Sequence, residues 1–317
     1  MWLTGNASPR KLREKGGSYV SLRDLLLTFM EGTREAPGGK TSFKVATFNA
    51  NSIRARLPLV LKWLEKEKPD VLCLQETKVK DPEFPAQAFR ELGYFVVFRG
   101  EGGRAGVAIV SQEEPNKVSF GLSDGGPPDE DRLIRISLRG ISIVNTYVPQ
   151  GQEEKSEAFL YKLEWLERLR WYFSRNFSPD EPLLWCGDFN VAPEEIDVYD
   201  PVGLKNQVDF HPEARAALFR IKDWGFVDIY RKHHPGEPGQ YTFWDYRVPR
   251  ALERNLGWRI DHIWATAPLA ERSVNAWIDR EARMWERPSD HTFLLAEFLG
   301  SGLAMQHFSS MERVSHQ

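Results

Sequence analysis

The sequence predicts an α/β protein in which antiparallel-rich sheets are covered by helices. Three observations lead there. Apolar runs of strand length alternate along the chain with segments of helical periodicity. Short polar turns join several of the runs, as hairpins require. The composition is that of an ordinary globular chain, 41% hydrophobic and 27% charged over 317 residues.

The elements follow in order. Residues 43–48 form an apolar run suited to a buried strand. Leu57, Val60, Leu61 and Leu64 come next at helical spacing, with Pro58 expected in the first turn, where its missing N–H is harmless. Residues 71–74 read as a second strand, and 84–92 as a helix that stops at Gly93. Strands are expected over 94–98 and 106–111. Runs at 133–138 and 141–148 flank Arg139-Gly140, a two-residue hairpin signal. Phe159, Leu163, Leu166, Leu169 and Phe173 make one face of a long amphipathic helix. Residues 182–186, 259–265 and 292–298 read as strands, and 214–224 as a helix.

These elements lie in one unit, about 43–299, without repeats or a low-complexity linker. Residues 1–42 differ, with Gly16-Gly17, Pro37-Gly38-Gly39 and scattered charges, and read as a poorly structured extension. Their apolar stretch at 25–30 follows Arg23 and Asp24, which makes a poor signal-peptide core. Residues 300–317 read as a polar tail. The net charge is −3, so a polyanionic partner needs a local basic groove or a metal ion. No apolar run approaches the roughly 18 residues that span a bilayer. Cys73 and Cys186 sit in apolar runs as buried reduced thiols, and the absence of a Cys/His cluster argues against structural zinc.

Six polar motifs fall at the ends of the expected strands. They are Asn49-Ala50-Asn51, Gln75-Glu76-Thr77, Tyr147-Val148-Pro149-Gln150-Gly151, Gly187-Asp188-Phe189-Asn190, Arg259-Ile260-Asp261-His262 and Ser289-Asp290-His291. Taken singly, each is an ordinary turn or cap. Together they offer carboxylates, amides, a phenol and an imidazole, but no thiolate. Oxygen ligands of this kind select Mg²⁺ or Mn²⁺. Asp188 and Asn190 are two residues apart, so an extended backbone would turn both to one side and let them orient a water.

The order of these motifs resembles the endonuclease/exonuclease/phosphatase superfamily. Leu74-Gln75-Glu76-Thr77-Lys78, the Tyr147 motif and Tyr241-Thr242-Phe243-Trp244-Asp245-Tyr246-Arg247 resemble its exonuclease III and apurinic/apyrimidinic endonuclease branch. The resemblance implies a four-layer α/β sandwich, two packed and mainly antiparallel sheets flanked by helices. It implies a cytoplasmic, membrane-free monomer that acts on double-stranded DNA at abasic sites or 3′ ends. The reaction is Mg²⁺-dependent hydrolysis 5′ to the abasic site, with Mn²⁺ as a possible substitute, and with 3′→5′ exonuclease and 3′-phosphatase activity.

The resemblance implies the following roles by position. Glu76 binds the metal, with Asn49 and Asp290 assisting and Asn51 close by. Asp188 activates water, which Asn190 positions. Tyr147 contacts the phosphate, and His291 donates to it, oriented by Asp261. Asn51 stands where some relatives have a carboxylate, which removes one negative ligand. Arg54, Lys78 and Arg104 are candidate phosphate contacts or plain surface charges. Arg104 lies in a glycine-rich loop that either lets backbone approach DNA or makes a tight turn. Phe243, Trp258 and Ile260 are candidates for an apolar pocket against the abasic sugar, the alternative being ordinary core. Two other classes stay open: a phosphodiesterase or phosphatase acting on RNA, lipid headgroups or inositol phosphates, and a DNA-binding module without catalysis.

Overall fold

The computed structural model describes residues 42–300; the expectations for residues 1–41 and 301–317 lie outside them. Two six-stranded sheets stack face to face. The first has the order β11-β12-β1-β2-β4-β3, built from β1 (Ser42–Asn49), β2 (Val71–Gln75), β3 (Phe95–Arg99), β4 (Val107–Ser111), β11 (Ser273–Asp279) and β12 (Phe293–Leu299). The second has the order β5-β6-β7-β8-β10-β9, built from β5 (Asn116–Phe120), β6 (Leu133–Leu138), β7 (Ile141–Tyr147), β8 (Leu183–Asp188), β9 (Phe226–Asp228) and β10 (Asp261–Thr266). Only β1–β2 and β7–β8 run parallel; the other neighbours are antiparallel. Each parallel pair needs a crossover. Helix α1 (Ile53–Glu67) supplies the first; after α2 (Ala86–Glu91), α3 (Glu157–Asn176) supplies the second. Helices α4 (Pro212–Lys222), α5 (Ile229–His233) and α6 (Ala267–Ala270) follow.

Period-two alternation sorts the strand residues into layers. Val45, Val71, Cys73 and Ile109 of the first sheet meet Ile136, Ile143, Leu184, Cys186 and Ile263 of the second. Both cysteines are free and buried in this middle layer. The opposite faces carry Phe48, Leu72 and Leu74 against Val60, Trp63 and Leu64 of α1. In the other half, Val144, Trp185 and Trp264 lie against Trp165, Leu166 and Leu169 of α3. The result is helix, sheet, sheet, helix: the four layers that the resemblance implies.

Two details differ from expectation. Pro58 lies in the second turn of α1, on its exposed side, where the lost N–H bond faces solvent. Strands β5, β9 and β11 were not legible. All three are sheet edges, and edge strands carry little of the apolar alternation that marks a central strand. The Arg139-Gly140 hairpin is present, with both residues at positive φ as a type I′ turn requires.

Candidate active site

The inward registers of the central strands are apolar along most of their length and polar at one end. Thr47 and Asn49 on β1, Gln75 on β2, Asn145 and Tyr147 on β7, Asp188 on β8 and Asp261 on β10 continue the same facing rows. The site is therefore the polar mouth of the inter-sheet core. Its floor is a buried amide clip. Gln75 Nε2 donates to Thr47 Oγ1 at 3.0 Å and across the sheets to Asn145 Oδ1 at 2.7 Å. Asn145 Nδ2 returns bonds to the carbonyls of Leu74 and Ala108. Such a network, with its donors buried and paired, locks the relative position of two sheets.

Above this floor Asn49 bridges the halves. Its Nδ2 donates to Glu76 Oε1 and to Asp188 Oδ2, both at 2.8 Å, while its Oδ1 accepts the Asn51 N–H. Asp188 Oδ1 accepts the Asn190 N–H at 2.8 Å. Asp261 Oδ2 accepts from His291 Nδ1 at 2.7 Å, leaving Nε2 at 3.9 Å from Asp188 Oδ2. Burial pushes the Asp188 carboxyl well above the usual range; His291 opposes this, and Asp261 and Glu76 add to it. Burial works against a charged His291, but the Asp261 carboxylate overcomes it and lifts the imidazole to about 10. Tyr147 is raised by burial and by the Glu76 and Asp188 charges, so its hydroxyl stays protonated. Arg132 lies 5.0 Å from the center of the Tyr147 ring.

The backbone here is held in an uncommon state. Asn51, Ser52, Glu76, Lys78 and Asn190 all have positive φ, and none is glycine. Asparagine enters this region readily, but at Ser52, Glu76 and Lys78 the conformation persists only where the surroundings enforce it. Behind the turn at Glu76, Gly106 (φ +113) leaves no room for a side chain: a Cβ there would come within 2.1 Å of Thr77 Oγ1. The glycine-rich loop thus serves, at Gly106, to brace the Glu76 turn.

The donor set suits a hard cation. Glu76, Asp188 and His291 cluster within 4.8 Å of one another; the two carboxylates supply the oxygens, while His291, held protonated by Asp261, is a donor rather than a ligand. The Lys78 ammonium already sits 2.7 Å from Glu76 Oε2 and 2.5 Å from Asn51 Oδ1, which marks a place built to hold positive charge. Oxygen ligands without thiolates fit Mg²⁺ or Mn²⁺.

An open cleft of about 600 Å³ lies over these groups. Glu76, Arg104, Asn190, Phe243, Trp258, Ile260, Asp290 and His291 reach its surface. Phe243 and Trp258 exchange two backbone hydrogen bonds of 2.9 Å, and Ile260 packs with them over Val198 and Phe210. The Phe243 ring lies 4.8 Å from the His291 ring. Asp290 stands apart from the Glu76–Asp188–His291 cluster and joins it through Asn51, whose Nδ2 donates to Asp290 Oδ1 at 2.9 Å.

One expectation needs correction, and one candidate lies off the cleft. Asn190 is not in extended backbone (φ 47), so it does not share a face with Asp188 by alternation. Its side chain instead donates to the Val148 carbonyl at 2.9 Å. Arg54 does not reach the cleft. It pairs with Glu83 at 3.0 Å and lines a separate groove with Lys62 and Trp285, because the first turn of α1 points it outward.

Sequence reasoning missed Lys162 and the buried ion cluster of Arg259 with Asp197 and Asp228. The signal for Lys162 was present: it lies three residues from Phe159 and four from Leu166, on the apolar face of its helix. Arg259, between Trp258 and Ile260, points away from the cleft into that ion cluster, and its Nη1 meets His262 Nδ1. Burial, then Arg259, lowers His262 to about 3, a neutral structural histidine.

Fold and site together gather carboxylates, amides and an imidazole at the mouth of a double-sheet sandwich, a set of groups suited to phosphoester hydrolysis. Residues 46–291 match the Endonuclease/Exonuclease/phosphatase family model, and the chain belongs to that family. Over 268 residues it is 34% identical to the exodeoxyribonuclease III of Haemophilus influenzae, covering 80% of this chain and 99% of the relative. Among solved structures it is similar to an AP endonuclease from Archaeoglobus fulgidus, with 56% identity, TM-score 0.79, and 81% and 99% of the two chains covered. It is also similar to a 3′–5′ exonuclease from Neisseria meningitidis, with 36% identity, TM-score 0.77 and the same coverage. This chain is a hydrolytic nuclease of the DNA-repair kind. Among the described residues no helix is long and apolar enough to cross a membrane.

Proposed function

We propose that this nuclease hydrolyses the phosphodiester 5′ to abasic sites in double-stranded DNA, leaving a 3′-hydroxyl, and that the same site trims 3′ ends and removes 3′ phosphates. It acts as a monomer in the cytoplasm, with Mg²⁺ as its ion and Mn²⁺ as a substitute. One observation carries the reading: His291, paired with Asp261 and 3.9 Å from Asp188, lies directly against the Phe243 ring. Phosphate-handling groups thus border an apolar wall, and a sugar without its base offers a small, partly apolar face to such a wall.

Phosphodiester hydrolysis needs an oriented water, charge at the leaving oxygen and donors around the phosphoryl group. Asp188 takes the proton of the water; desolvation makes it a stronger base than a free carboxylate. Asn49 and the Asn190 N–H each hold one of its oxygens and so set its direction. His291, charged beside Asp261, donates to a phosphoryl oxygen, and the Tyr147 hydroxyl donates to another. Glu76 and Asp290, with the Asn49 and Asn51 amides, would hold the ion, which supplies positive charge at the leaving oxygen. Lys78 and Arg104 contact flanking phosphates.

The test is nicking of supercoiled plasmid, depurinated against intact, with and without EDTA. Mg²⁺-dependent nicking of the depurinated plasmid alone is expected. Phosphate release from small esters without nicking, or DNA binding without cleavage, refutes the reading.

A further inference from the structure

Lys162 is fully buried, an unusual place for an ammonium unless it is paired. Its Nζ meets four oxygens: the carbonyls of Gln150 at 3.0 Å, Asn190 at 2.6 Å and Val208 at 3.0 Å, and Asp209 Oδ1 at 2.9 Å. An ammonium has three protons, so its donor capacity is fully used. The four partners come from three separate loops, and all four residues line one side of the cleft. Room for the lysine stem is made by Gly151 (φ +97), where a Cβ would come 3.1 Å from Lys162 Cδ and 3.3 Å from the Phe159 ring. A second layer of bonds closes the unit: Gln150 Nε2 donates to Asp209 Oδ2 at 3.1 Å, and the Ala192 N–H donates to the Asp209 carbonyl at 2.7 Å.

The Asn190 contact matters most. Asn190 is at φ 47, in the left-handed region that asparagine enters more readily than other non-glycine residues but that is still uncommon and needs partners to fix it. In that state its N–H reaches Asp188 Oδ1. The carbonyl of the same residue is the one that Lys162 grips most closely.

We propose that Lys162 is a positioning residue of the nuclease: it joins three loops into one wall and holds Asn190 in the left-handed conformation that aims the Asp188 carboxylate. It touches neither substrate nor ion and acts through Asn190. The proposal rests on the assignment of Asp188 as the water-activating group.

The test compares the full chain with Lys162→Met, which keeps the length of the stem and removes every donor, and with Lys162→Gln, which is neutral but still donates. Steady-state cleavage of an abasic duplex is measured well below each protein's melting temperature. For Met, kcat is expected to fall about 10- to 100-fold with KM within about 3-fold of wild type, since small misplacements of a reacting group cost this much. Gln is expected to recover part of the loss. Hydrogen exchange at 189–192 should quicken in the same order. Where Met does not fold, Gln against wild type carries the same comparison. A folded variant with wild-type kcat and only a lower melting temperature overturns the proposal, because a merely structural lysine gives that result. If wild type itself fails on the abasic duplex, the substrate reading fails, and the same kcat comparison on a recessed 3′ end decides the role of Lys162.

Discussion

Each sheet has one parallel pair at its centre, β1–α1–β2 in the first and β7–α3–β8 in the second, and both pairs end in the polar residues beneath the cleft. Their electrostatic settings are opposite. At the first pair Glu76 is half-buried, and its carboxylate already meets the Lys78 ammonium. At the second pair Asp188 is fully buried, and its oxygens meet the Asn49 amide, the Asn190 N–H and, more distantly, His291. The crossover helices differ in the same sense. Helix α1 buries only apolar residues, whereas α3 buries a lysine beneath the wall of the cleft. A group that shares its charge with an exchanging ion belongs near solvent and near other charge. A base needs its proton affinity raised, and burial does that.

The largest effect expected from breaking this contrast is at the buried side. Asp188→Asn keeps the shape and removes the group proposed as the base. Turnover on abasic DNA is expected to fall by about 10³-fold or more, with DNA binding by filter retention unchanged or tighter. Wild-type-like turnover would show that the buried half supplies no base. At the exposed side Glu76→Ala is expected to cost about 10²-fold at low Mg²⁺ and to recover partly as Mg²⁺ or Mn²⁺ is raised. A metal titration in which the loss is the same at every concentration removes Glu76 from the ion.

Next in size is the apolar wall shared by the two halves at His291. Phe243→Ala or Trp258→Ala should lower abasic cleavage by roughly 10-fold while end-trimming of intact duplex falls less. Stability should drop by less than the roughly 3–5 kcal/mol of an aromatic truncated in a closed core, because both residues are half-buried. Equal loss of both activities with a core-sized stability loss would make these residues ordinary core.

The second half also carries a pH signature. His262 is held at about 3 by burial and then by Arg259, below its unfolded value near 6.5. Unfolded chains therefore bind the extra proton first, and stability is lost as pH falls from about 6.5 toward 3. Asp197 adds to this lower down. Burial raises it, but Arg259 and Arg231 overcome that and hold it at about 2, so its contribution fades as pH drops below about 4. Urea melts should show wild type losing stability relative to His262→Gln, by an amount approaching about 1.4 kcal/mol per pH unit between 6 and 4, read as the difference between the two slopes. An unchanged slope in the variant would place the acid sensitivity elsewhere. The smallest effect is expected at the start of the first half. A chain beginning at Thr41 should melt and cleave as the full chain does, since β1 begins at Ser42. Lost activity in the shortened chain would tie the preceding residues to function.

Much of this architecture was legible because it is local. The central strands announce themselves by apolar runs, and a polar residue that breaks such a run at its end marks a place where the core opens: Asn49, Glu76, Tyr147, Asp188 and Asp261 were all readable this way. The Arg139-Gly140 turn was readable from two residues. Strands β5, β9 and β11 were not: β9 is three residues long, and β5 and β11 are edges without the continuous apolar run that made β3, the fourth edge, readable.

What the chain by itself determined, then, is the set of chemical groups and the ends of the strands on which they sit. What only the tertiary structure decided is which of them meet. Asn49 joins Asp188 across 139 positions of sequence, and no local pattern carries that bond. It exists because two sheets stack with their polar ends aligned over the Gln75–Asn145 clip. Tertiary structure likewise set Arg54 against Glu83 and the Asn190 carbonyl, at positive φ, against Lys162. Side-chain direction at a loop or a helix end is set by what packs behind it, and in this chain those partners come from distant parts of the sequence.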